Sequence, residues 1–130
     1  MSAGRTIDGA MLIKRLKSCP EIVANDGCRL KELLHPDRDE VDLGYSLAIA
    51  WVDPGRRTHA HTLRRQTEVY LVVIGRGRMH IDDEAEDVTE GDAVVIPPGA
   101  VQWIENPGPD RLCFAALVNP PWQAEDDVRA

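Results

Sequence analysis

His59 and His61 stand two residues apart, and Glu68 follows at the head of an apolar run over residues 69–74 that stops at Gly75. Two imidazoles and a carboxylate are a ligand set for a divalent transition metal. In an extended strand, side chains at i and i+2 share a face about 6–7 Å apart. Both rings can then be turned on one ion at metal–nitrogen distances of about 2 Å. The same short pattern also suits two solvent-facing histidines in a basic loop, because His-x-His recurs by chance.

The elements that must position these groups read as β-strands. Residues 43–52 (LGYSLAIAWV) are apolar and β-rich, closed by the turn Asp53-Pro54-Gly55. The segment carrying His59 and His61 reads as the next strand, and residues 68–74 as another, with Gly75 and Gly77 marking a bend. Short strands follow over 78–81, 86–89, 93–96, 101–105 and 112–118, separated by Gly-, Pro- and Asp-rich turns. That rhythm predicts an all-β sandwich or barrel. Residues 10–17 fit either a short helix or an edge strand, residues 28–34 fit a strand, and His35-Pro36-Asp37 a turn. If Glu68 faces inward, strand parity carries Tyr70, Val72 and Ile74 inward with it. Gln102 facing inward likewise carries Ile104, with Val101 and Trp103 on the other face.

Composition narrows the class. The chain of 130 residues is long enough for one core, and 43% apolar with 28% charged residues is ordinary for a soluble domain. Fifteen Lys and Arg against 22 Asp and Glu give a formal charge of −7, which argues against a nucleic-acid partner. Cys19, Cys28 and Cys113 follow no zinc-ribbon spacing and read as reduced thiols. Lys14, Arg15 and Lys17 interrupt any apolar leader, and the longest apolar runs fall far short of the ~20 residues of a membrane helix. The expectation is a soluble, cytoplasmic protein without membrane partners. The acidic stretch Asp82, Asp83, Glu84, Glu86, Asp87 lacks the EF-hand pattern and reads as a solvated hairpin tip.

The residues around the His-x-His pair resemble those of the cupin superfamily, small β-barrels of the jelly-roll, double-stranded β-helix type. That family carries two motifs, written G(X)5HXH(X)3–4E(X)6G and G(X)5PXG(X)2H(X)3N. Gly55, His59, His61, Glu68 and Gly75 follow the order of the first, with the interval from Glu68 to Gly75 intact. Residues 56–58 are fewer than the five expected between Gly55 and the first histidine, and residues 62–67 are more than the three or four expected before the glutamate. Gly91, Pro97, Gly99, Gln102 and Asn106 match the second motif with its spacing intact, Gln102 standing where the pattern has histidine.

The resemblance implies one cupin domain over 1–130, its barrel spanning about 40–119, flanked by N-terminal strands and an acidic C-terminal tail. It implies metal ligands at His59, His61, Glu68 and Gln102 and one divalent metal, drawn from iron, manganese, nickel, cobalt and zinc. The expected function is a metal-dependent enzyme on a small organic molecule, of dioxygenase, isomerase or lyase type, with the ion as Lewis acid. Tyr70 is then the candidate proton donor or orienting group, the alternative being a core aromatic. The competing function is a non-catalytic cupin that binds or senses a small ligand, metal-free or not. Apolar residues on both faces of 43–52 predict a homodimer.

Overall fold

The structure, a computed structural model, describes residues 11–130, so Ala10 and the residues before it lie outside the described part. Eleven strands run through the described residues: β1 Ile22–Val23, β2 Arg29–Leu34, β3 Ser46–Val52, β4 His61–Leu63, β5 Thr67–Ile74, β6 Arg76–Ile81, β7 Glu84–Thr89, β8 Ala93–Ile96, β9 Gln102–Glu105, β10 Leu112–Asn119 and β11 Asp127–Arg129. They form two antiparallel sheets. One has the order β1-β2-β3-β10-β5-β8, and the other the order β11-β4-β9-β6-β7. This is the all-β architecture that the turn rhythm predicts, in the two-sheet jelly-roll form that the resemblance implies. No helix among the described residues is long and apolar enough to cross a membrane.

The alternation of side chains builds the core between the sheets. On β5, Glu68, Tyr70 and Val72 face inward and are buried, whereas Leu71 and Val73 are exposed. Val72, Ile96, Ile104, Leu112 and Phe114 are each at most 1% exposed. Each contributes roughly 1.5–3 kcal/mol by leaving water. Parity holds for Ile104, buried beside Gln102 with Trp103 facing outward and only part-buried. It fails at Ile74, which is 54% exposed. Phe114 pairs with Val72 and Cys113 with Ile74, so Val73 is the extra residue of a bulge that turns the strand over. Gly75 then takes φ +85°, and a Cβ there would stand 2.7 Å from the Arg111 carbonyl oxygen. The bend therefore requires glycine.

The N-terminal part differs in detail from the sequence expectation. The described part of 10–17 has only a 3-10 turn at Leu16–Ser18. The predicted turn at His35 is a one-turn helix, α1 Pro36–Asp39, capped by His35. Nδ1 of His35 accepts from the Asp37 amide at 3.2 Å, and Nε2 donates to the Trp122 carbonyl at 2.7 Å. Both ring nitrogens are thus occupied in joining α1 to the C-terminal segment.

The acidic C-terminal tail contains a short strand. β11 pairs with β4, Arg129 opposite His61 and Asp127 opposite Leu63. Arg65 and the Gln66 amide hold Asp126, at 3.1 Å and 2.8 Å, and the Trp122 indole donates to Asp127 at 2.9 Å. A two-proline segment and scattered acids carry no β periodicity, so this pairing has no local signature.

Candidate functional site

β4 is three residues long, with His61 and Leu63 buried and Thr62 between them half-buried. The two inward positions of this strand are therefore an imidazole and an isobutyl group. His59 precedes the strand and is exposed. Its amide donates to the Asp26 carbonyl at 2.6 Å, and its ring lies over Gly27, where a Cβ would come within 2.9 Å of Cδ2. The close approach of the 24–27 turn, made possible by glycine at φ +89°, holds His59 outside the barrel.

His61 is 4% exposed and its Nδ1 lies 3.2 Å from the His59 carbonyl oxygen. A carbonyl only accepts, so Nδ1 donates, and Nε2 is the ring nitrogen left for a ligand. Across the barrel, β5 presents Glu68 and Tyr70, and β9 presents Gln102. The Tyr70 hydroxyl donates to Oε1 of Gln102 at 3.0 Å, and the Gln102 amide hydrogen-bonds Glu68. Glu68 is 8% exposed, and its Oε1 has no partner among the described residues.

Burial pushes the Glu68 carboxyl up from 4.5 to about 8, against the hydrogen bond from Gln102, with Asp26 and Asp127 adding to the rise. Tyr70 is also raised, by burial and then by Glu68, so its phenol stays protonated. Its ring packs on Phe114 with centroids 4.2 Å apart. Tyr70 is thus a core aromatic and an orienting group for Gln102 at once.

These groups front a cavity of about 370 Å³ between the sheets. His61, Leu63, Glu68 and Tyr70 line it, together with Ala48, Ala50 and Phe114 from the inner sheet face, and Asp26, Trp122 and Asp127 from the flanking segments. Gln102 sits behind Glu68 and Tyr70 and fixes both. Of the sequence-predicted residues, then, His61, Glu68, Tyr70 and Gln102 come together and His59 does not. The contributions of Asp26, Trp122 and Asp127 were missed, since none belongs to a motif.

The placement also shifts the first motif by two residues. Between Gly55 and His61 lie residues 56–60, the five that the pattern requires. Leu63 then occupies the second histidine's position, residues 64–67 are the four before Glu68, and residues 69–74 the six before Gly75. Both spacing anomalies vanish in this register. The signal was present in the interval from Gly55, but the His-x-His pair masked it.

The family's metal is tested by these donors, and they do not fit it. Leu63 offers no lone pair, and the Gln102 oxygen is engaged by Tyr70. Among the described residues no three His, Cys, Asp or Glu side chains are grouped to hold an ion. At the motif positions, one imidazole and one carboxyl are too few for a closed transition-metal site. Asn106 of the second motif is structural: it donates to the Val52 and Asp110 carbonyls at 2.9 and 2.8 Å and accepts from the Gly108 amide at 2.8 Å.

Comparison with known proteins agrees with this architecture. A family model described as a Cupin domain matches residues 49–118. An uncharacterized protein of Methanocaldococcus jannaschii is 36% identical over 104 residues, covering 80% of this chain and 82% of its own. The mannose-1-phosphate guanylyltransferase ManC of Salmonella typhimurium is 30% identical over 69% of this chain, which spans only 19% of that enzyme. Among solved structures, a predicted oxalate decarboxylase of Thermotoga maritima aligns with a TM-score of 0.73 at 21% identity, over 84% of this chain and 99% of its own. A nucleoside dehydratase, known from Streptomyces, aligns with a TM-score of 0.74 at 16% identity over 93% and 92% of the two chains. With the family model spanning more than half of its length and the two-sheet barrel in place, the chain belongs to the cupin family.

Proposed function

We propose that this cupin binds a small organic molecule in its barrel cavity without a metal ion. The observation that carries this reading is Leu63 at the second inward position of β4, which leaves His61 as the lone imidazole of the wall. The site is then organised by hydrogen bonds: Tyr70 orients Gln102, Gln102 orients Glu68, and Glu68 and His61 face the ligand. Elemental analysis of protein purified without chelator from metal-replete cells tests it. The expected content is well below one transition-metal ion per chain, with ligand binding unchanged by EDTA. Stoichiometric metal that disappears in His61→Ala would overturn it and return the site to metal-dependent chemistry.

A second reading, acid–base catalysis on the bound molecule, is favoured by one feature. His61 keeps Nε2 for a ligand and Glu68 an unpartnered oxygen in the wall of the same cavity, the two kinds of group that move a proton. That a dehydratase and a predicted decarboxylase share the fold supports an enzyme only by analogy. Under this reading, Glu68→Gln lowers turnover about 100-fold or more while changing ligand affinity little.

A further inference from the structure

We infer that the molecule this cavity takes is an organic cation, an amine on a compact apolar body, and that sugar phosphates and dicarboxylates are excluded. The inference rests on the reading of the cavity as a ligand site. Four acidic side chains line it (Asp26, Glu32, Glu68 and Asp127), and no lysine or arginine among the described residues does. Glu32 is offset by Arg38 at 3.0 Å. The others meet only neutral donors among the described residues. Asp127 accepts from the Trp122 indole and the Asn25 amide at 2.9 and 3.0 Å, and Asp26 Oδ1 accepts from the Cys28 amide at 3.1 Å. Glu68 leaves Oε1 unpartnered in the wall.

The Asp26 and Asp127 carboxylates, without a cation in the wall of a partly enclosed cavity, attract positive charge more strongly than they would in bulk solvent, and the unpartnered Glu68 Oε1 accepts from an ammonium N–H. An anion entering the same space meets charges of its own sign and no guanidinium or ammonium to receive it. Tyr70, Phe114 and Trp122 line the same cavity, and aromatic faces hold both an ammonium and the apolar group that bears it. A cavity of about 370 Å³ limits the ligand to the small end of the usual range. The charges of Asp26 and Asp127 come from the 24–27 turn and from β11, so the preference belongs to this chain's flanking segments.

Isothermal titration calorimetry at pH 7 with benzylamine, benzyl alcohol and benzoate separates charge from shape, because the three share one ring. Mannose 1-phosphate and oxalate serve as further anionic probes. The expected result is benzylamine tightest, about tenfold or more over benzyl alcohol, with no heat from the anions. Asp127→Asn, which keeps an acceptor for the Trp122 indole, is expected to weaken benzylamine several-fold and leave benzyl alcohol unchanged. Asp26→Asn, which keeps an acceptor for the Cys28 amide, provides a second variant with the same expectation. Benzoate, oxalate, mannose 1-phosphate or benzyl alcohol binding as tightly as benzylamine would overturn the ligand class and leave the cavity reading standing. Absence of binding by all five probes would remove both.

Discussion

Tyr70 and Gln102 hold each other in one orientation: the phenol donates to Oε1 across 3.0 Å, which turns the amide's N–H groups toward Glu68. All three side chains are buried, and with the tyrosine O–H donating to Oε1 the amide keeps its N–H groups as donors. Tyr70→Phe keeps the ring contact with Phe114 and leaves the Gln102 oxygen without its donor. The expected cost is about 1–3 kcal/mol in urea unfolding. An unchanged midpoint would show that the hydroxyl does not order the site.

The Glu68 carboxyl sets a pH dependence. Its folded value, about 8, lies above the ordinary 4.5, so between these values the native state keeps a proton that the unfolded chain releases. The resulting stability is fully present below about pH 4.5, falls as pH rises toward 8, and levels off above. The fall amounts to a few kcal/mol at most. Unfolding midpoints at pH 5, 6.5 and 8.5 should show a shallower decline in Glu68→Gln than in the wild type. Equal slopes in the two proteins would exclude Glu68 as the source.

Restoring imidazoles at the motif's two substituted positions should complete the family's ligand set in this chain. The double variant Leu63→His, Gln102→His is expected to lose about 2–4 kcal/mol without metal, since a polar ring replaces buried leucine. It should then bind nickel or zinc with His61 and Glu68 and recover stability in proportion to metal concentration. A metal response in the variant matched by the wild type would show that Leu63 does not decide the matter.

Asn106 ties three backbone groups at the end of β9, and no smaller residue replaces that pattern. Asn106→Ala leaves the Val52 and Asp110 carbonyls and the Gly108 amide unpaired, at an expected cost of about 2–4 kcal/mol. Thermal unfolding within a degree of the wild type would contradict a structural role.

The outer face of β5 and β8 exposes Leu71, Val73 and Val95, at 44%, 47% and 63%. We propose that a second copy covers this face, and light scattering after size exclusion should give a dimer mass. Val95→Glu is expected to shift the population to monomer. A monomeric wild type at micromolar concentration removes the proposal.

Much of the barrel was legible in the chain because its signals are local. Alternation over 68–72 needs only neighbouring residues, and the turns at Gly55, Gly91, Pro97-Pro98-Gly99 and Pro107-Gly108 are written in residues that restrict or free the backbone. The second motif could be aligned correctly for the same reason. Ile74 defeated the alternation because a bulge depends on the partner strand, β10, far along the chain.

The amino-acid sequence by itself determined a β-rich chain of alternating strands, a glutamine in place of one motif histidine, and a shared face for Glu68 and Tyr70. Only the tertiary structure decided that His61 and Leu63, not His59 and His61, face the cavity. A period of two relates His59, His61 and Leu63 equally, and what breaks the tie is packing: the Gly27 turn draws the first ring outside while β9 and β11 close over the other two positions. The acidic wall likewise joins residues about a hundred positions apart, Asp26 and Asp127, whose shared field exists only once the sheets bring them to one space.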